Sequence, residues 1–131
     1  GANSNQQFIS SLRRMLDPIK EHVDNNFNPL PTEYINEFMP IRQKINDLMK
    51  MSCEQIETSR YENYREILAE ADACKDELSV IRKKHIDRLQ NMKDNTLMQI
   101  SLVYLNVLQE SQEFLSVMRH QLRAAKKFMV N

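Results

Sequence analysis

Few residues in this chain could carry chemistry: three histidines, two cysteines and the charged side chains around them. His85 stands among Arg82, Lys83, Lys84 and Arg88. A phosphorylatable histidine needs such neighbours, because cations hold the phosphoryl oxygens. Phosphotransfer modules usually place a small residue beside the histidine for access, and Ile86 and Asp87 do not fit that. His85 therefore reads as a surface or boundary histidine near a helix end, with a phosphotransfer module centred on it as the rival. His22 and His120 have no carboxylate or cysteine partner at metal-ligand spacing, so no zinc site is expected. Cys53 and Cys74 form no CxxC pair, and each falls on an apolar stripe where a reduced thiol acts as a small hydrophobe. Serine nucleophile elbows, phosphate-cradling Gly loops and zincin motifs are absent. The expectation is a chain that is not an enzyme, with no catalytic residue, no metal and no cofactor.

The elements that must position these residues are helices. One Gly and four Pro in 131 residues leave little material for tight β-turns, and Ala, Leu, Met, Glu, Lys, Arg and Gln favour helix. With 27% charged and 41% hydrophobic residues, the composition is neither that of a disordered chain nor that of a membrane-spanning one. No apolar run approaches the ~20 residues of a membrane span, and no signal peptide is visible. The chain reads as one domain over residues 1–131, with Gly1 as an expression-tag remnant and the whole as an excised fragment.

Apolar residues three and four apart predict four helices. The first covers about Asn5 to Asn25 on Phe8, Leu12, Met15, Ile19 and Val23, with Pro18 expected to kink or break it. Residues 25–31, rich in Asn and Pro, form a linker. A second helix starts at Thr32 on Ile35, Phe38, Ile41 (or Arg42), Ile45, Leu48, Ser52 (or Cys53) and Ile56, with a kink at Pro40. Ser59 and Glu62 have the form of a capping box, which predicts a bend or break near Thr58–Ser59. The third helix runs to about Asn91 on Ile67, Ala71, Cys74, Leu78, Ile81 and His85. After a turn at Lys93–Thr96 the fourth runs to Met129 on Leu97, Ile100, Tyr104, Val107, Ser111, Phe114, Met118, Leu122, Ala125 and Met129. Spacing sustained over this length makes an all-α, elongated antiparallel bundle of three to four long helices. The eight methionines fall mostly on or beside these stripes and read as core filling. The fourth helix is apolar on more than one face in its first half, so it is either the central helix or one that also lines a homodimer interface. Leu102, Leu105 and Leu108 are the apolar surplus.

Formal net charge is zero, which argues against nucleic-acid binding by an overall positive field. The distribution is uneven. Cations gather at the C-terminal ends of helices three and four, and Arg119, Arg123, Lys126 and Lys127 have no acid after Glu113. Such cations complement helix dipoles at about 0.3–1 kcal/mol each. A fold-back at Asp94–Asn95 would also bring Glu62 opposite Lys126 and Glu70 near Arg119, which helps fix the antiparallel orientation. The functional reading of the same cations is an anionic partner, lipid or acidic protein.

Two runs carry a resemblance. "RKKHIDRLQ", a short turn and "SLVYLNVLQESQEFLSVMRH" resemble the last two helices of PhoU-like domains, most of all the version at the cytoplasmic C-terminus of bacterial sodium–phosphate cotransporters. His85-Ile86-Asp87-Arg88-Leu89 matches that family's first element, and Tyr104-Leu105-Asn106-Val107-Leu108 matches its "YLDIL". The likeness covers about Glu77 to Phe128. The family's E-x-x-x-D metal motif would fall on Gln112 and Ser116, neither a carboxylate, so its metal clusters do not carry over. The resemblance implies a non-catalytic regulatory domain at the cytoplasmic face of the bacterial inner membrane. Its partner would be the transmembrane portion of its own parent transporter. The partner-binding residues would be Arg119, Arg123, Lys126, Lys127, Leu102, Leu105 and Leu108. A soluble bundle from another membrane exporter is the alternative with the same physics.

Overall fold

Among the described residues the chain reverses three times, and each reversal has a local chemical cause. The computed structural model describes residues 2–27 and 29–130, with side chains over 6–27 and 29–128. Gly1, Asn28 of the linker and the Met129 side chain lie outside the described residues. Four helices follow in order: α1 (Ala2–Phe27), α2 (Thr32–Thr58), α3 (Tyr64–Leu89) and α4 (Asn95–Val130). At the first reversal the Leu30 N–H donates to the Phe27 carbonyl at 3.1 Å. Pro31 then holds an extended conformation (φ −58°, ψ 148°), and its carbonyl accepts the Ile35 N–H at 3.1 Å to start α2.

The second reversal begins at Ser59, which closes α2 in the left-handed conformation at φ 53°. Its N–H donates to the Ile56 carbonyl at 3.3 Å, a common way to satisfy a helix end. The break is where the sequence places it, but Ser59 and Glu62 do not open the next helix, because α3 starts at Tyr64. Buried Gln55 ties this turn instead. With its amide oriented so that donors meet acceptors, it donates to the Arg60 carbonyl (3.3 Å) and accepts the Asn63 N–H (3.1 Å). At the third reversal Asp94 Oδ1 accepts the N–H groups of Thr96 (2.9 Å) and Leu97 (3.3 Å), an N-cap worth about 1 kcal/mol.

Each helix is antiparallel to the next. Arg42 meets Asp24 between α1 and α2, Lys44 meets Glu77 between α2 and α3, and Arg119 meets Asp72 between α3 and α4. Helix α4 packs against α1, α2 and α3, whereas α1 and α3 make no contact among the described residues. Helix α2 likewise meets the other three, so α2 and α4 together form the diagonal of the bundle. Tyr104, Leu108, Leu115, Met118, Leu122 and Ala125 are completely enclosed, which accounts for the apolar character of α4 on several sides.

Several details depart from expectation. In α1 the buried stripe is Ile9, Leu12, Leu16, Val23 and Phe27, and Met15 is 44% exposed. Pro18 and Pro40 lie inside unbroken helices. Both are on the exposed side, where water reaches the carbonyl each leaves unbonded. Arg119 pairs with Asp72 rather than Glu70, and Lys126 lies over the Tyr64 ring, 4.1 Å from its centroid, rather than facing Glu62. The α3–α4 turn begins at Gln90, so the register differs by two residues on α3. On α4, Leu97 is 39% exposed, because it sits at the open end of the bundle.

Candidate functional site

The most concentrated chemistry lies at the end of the bundle where α2 begins and α3 ends. Helix α2 presents Tyr34, Glu37 and Phe38 on one face, as spacing of three and four requires. Helix α4 presents Ser101 and Tyr104, and α3 brings Lys84 and His85. Glu37 Oε1 accepts hydrogen bonds from His85 Nε2 (2.7 Å) and the Tyr104 hydroxyl (2.9 Å). Its Oε2 accepts from Lys84 Nζ at 2.9 Å. The Tyr34 hydroxyl bonds Ser101 Oγ at 2.8 Å. The Tyr34 ring stacks on Tyr104 at 4.6 Å between centroids, and both rings meet the His85 ring edge-on at 4.9 Å.

The electrostatics follow from this geometry. Burial pushes the Glu37 carboxyl up, but the hydrogen bonds from Lys84, His85 and Tyr104 outweigh it and hold its pKa below the ordinary value. Burial, and then the Glu37 carboxylate, push the Tyr104 hydroxyl far up, so it stays protonated and donates. An ionised Glu37 only accepts, which places a proton on His85 Nε2. The other ring nitrogen, Nδ1, is buried without a hydrogen-bond partner.

A carboxylate–imidazole pair is the orienting half of a hydrolytic triad. For catalysis the second nitrogen would have to reach a nucleophile or substrate, and here it is buried, in an imidazole that the Tyr34 and Tyr104 rings meet edge-on. His85 is 1% exposed. It is thus a core histidine, not the surface or boundary residue its basic neighbours suggest. Its place on the α3 stripe was the signal for burial. Glu37 and Tyr34 carried no comparable signal, since they meet His85 only through the tertiary fold.

Gln112, at the position of the metal-motif carboxylate, has every polar atom engaged with α3. Its Nε2 donates to Ser79 Oγ (2.6 Å) and the Lys75 carbonyl (3.0 Å), and its Oε1 accepts from Arg82 Nη1 at 3.1 Å. Ser116 is exposed. His22, which has no carboxylate at metal-ligand spacing in sequence, meets one across the bundle: its Nδ1 lies 2.6 Å from Glu110. Among the described residues no group of three or more His, Cys, Asp or Glu could hold a metal ion. Cys53 and Cys74 are free thiols, and burial pushes Cys74 up to about 11.

No family model, curated protein or solved structure matches the chain.

The seven residues assigned to partner binding are not brought together. Arg119 has a side chain 15% exposed and is committed to Asp72, and Lys126 is committed to the Tyr64 ring. Leu108 is fully buried and Leu105 is partly buried against the core. These four take part in packing within the bundle. Arg123, Lys127 and Leu102 remain exposed, and Arg123 and Lys127 form no ion pair among the described residues. Among the described residues no helix is long and apolar enough to cross a membrane.

Proposed function

We propose that this chain is a non-catalytic accessory domain of a bacterial phosphate transporter of the sodium–phosphate cotransporter type, acting by protein contact at the cytoplasmic face of the inner membrane. The observation that carries the reading is the meeting of the two resembling elements. His85 of the first and Tyr104 of the second touch at 4.9 Å and share Glu37 Oε1. The matched residues thus form one end of a helical hairpin, as the resemblance requires. Gln112 is used as a clamp between helices, so the regulatory role would not depend on the family's metal clusters. A phosphotransfer role loses support, because phosphorylation needs a ring nitrogen open to the donor and both nitrogens of His85 are enclosed.

The test is binding of the purified bundle to the solubilised transmembrane portion of its parent transporter. The reading expects a saturable, stoichiometric complex. Absence of any complex, with both partners folded, would overturn it. Incubation with a phosphodonor should leave no acid-labile adduct at His85, and a stoichiometric adduct would restore the phosphotransfer reading.

A further inference from the structure

The seam between α2 and α3 is incompletely filled. Small side chains on α3, Ala73 and Cys74, face Leu48 and Met51 on α2 and leave space between the helices. Three hollows, about 670, 350 and 260 Å³, follow one another along this seam. The first two share Lys44 and Ala73, and the second and third share Met51. They form one groove, from Glu37 and Val80 at one end to Gln55 and Ile67 at the other. At ~1.5 Å per helical residue its length is about 30 Å. The floor is core, with Ile41, Leu48 and Cys74 buried, while Val80 on the rim is 69% exposed.

The charge along this groove is one-sided. Seven carboxylates line it, against two cations, Lys44 and Arg60. Lys84 neutralises Glu37, and Lys44 neutralises Glu77. Asp47, Glu54, Glu62, Glu70 and Asp76 have no cationic partner among the described residues. A row of carboxylates along one trench gives it a negative potential that favours a cationic partner. An anionic lipid surface is thereby disfavoured at this face. A second copy, with zero formal net charge, offers this face no overall positive field.

We propose that the α2/α3 groove is the docking site for a Lys/Arg-rich amphipathic helix of another protein, whose apolar face meets the exposed Val80 and Ala73 and the half-buried Met51 between two acidic rims. The inference rests on the reading that the chain works by protein contact. It agrees with a transporter partner, because cytoplasmic loops of membrane proteins carry an excess of Lys and Arg.

The probe is a synthetic peptide of about 20 residues, the length the groove accepts, with Leu and Ala on one helical face and Lys on the other. A peptide of the same composition without an apolar face is the control. Amide shifts should move at Ala73, Val80 and Met51, binding should fall with salt, and the control should bind about tenfold more weakly. Ala73→Trp fills the groove from an exposed position, and Glu70→Lys with Asp76→Lys reverses its charge. Each should weaken the peptide about tenfold or more, with circular dichroism unchanged. Shifts mapping elsewhere, equal binding of the control, or indifference to Ala73→Trp would overturn the proposal. So would a wild-type dimer that Ala73→Trp dissociates, since the groove would then serve a second copy. If the bundle binds its parent's membrane portion and Ala73→Trp leaves that affinity unchanged, the groove assignment fails while the transporter reading stands. If the peptide fills the groove but the membrane portion does not bind, the transporter reading alone fails.

Discussion

Replacing Glu37 with alanine should unfold this bundle much more readily than its partly exposed position suggests. The carboxylate is the shared acceptor of two enclosed donors, His85 Nε2 and the Tyr104 hydroxyl, whose residues are 1% and 0% exposed. Truncation leaves both without a partner. A buried donor stripped of its acceptor costs about 1–3 kcal/mol, so the pair amounts to about 2–6 kcal/mol. The Glu37 side chain is 20% exposed, and water entering its place would set the lower end of that range. The third donor, Lys84, has a side chain 48% exposed, and its loss adds only about 0–1 kcal/mol. Typical domains have about 5–15 kcal/mol in total, so the expected loss is a large share. Urea unfolding followed by circular dichroism reads it directly. Tyr104→Phe supplies the sharper check. In the wild type it removes a satisfied bond and should cost about 1 kcal/mol. In the Glu37→Ala background it removes an orphaned hydroxyl and should instead stabilise. If Glu37→Ala costs less than about 0.5 kcal/mol, or Tyr104→Phe destabilises both backgrounds equally, the shared-acceptor account is refuted.

The same carboxylate sets a pH dependence. Its folded pKa lies below the ordinary value, so in acid the unfolded chain takes up the proton first. The contribution of Glu37 is complete above the ordinary glutamate range and disappears as pH falls through the folded pKa. Wild type should therefore lose more stability on acidification than Glu37→Gln, as denaturant titrations across that range will show. In the core, Leu108→Ala should cost about 2–5 kcal/mol, whereas Leu102→Ala should stay within about 0.5 kcal/mol of wild type. Equal costs would contradict the burial difference between them. Cys53 should react with a thiol reagent ahead of Cys74, which is enclosed and has its thiol pushed up to about 11. Peptide mapping by mass spectrometry after brief labelling distinguishes the order. In a Cys-free background, cysteines at positions 72 and 119 should crosslink within one chain more efficiently than cysteines at 62 and 126, because the register between α3 and α4 aligns the former.

The periodicity made the bundle legible, and its ambiguities mark where local pattern stops deciding. On α3, the stripe residues Ile67, Ala71, Cys74, Leu78 and His85 are all buried, and Ile81 is partly so. On α1, Met15 and Leu16 both suit a spacing of three or four from Leu12, and only packing against α4 selects Leu16. The hairpin register could not be counted from sequence, since it depends on where α3 frays into its turn. Tyr34, Glu37, His85 and Tyr104 come from three helices, so no local spacing announces their cluster. His85 occupied an apolar stripe while surrounded by cations, and the stripe was the better guide. The four basic residues on α4 looked equivalent in sequence. Asp72 and the Tyr64 ring claim Arg119 and Lys126 because those two lie on the side facing α3. The α2/α3 groove was not legible either, since it arises from small side chains on one helix meeting a neighbour that does not close over them.

Phosphate uptake through the proposed parent transporter, compared with the same transporter lacking this bundle, tests the central claim most directly. The account predicts that removal leaves the transporter in the membrane but changes its uptake rate or its response to phosphate supply. It also predicts that Ala73→Trp in the intact protein reproduces that change. Identical uptake by the intact and truncated transporters at every phosphate supply would contradict a regulatory role for this domain.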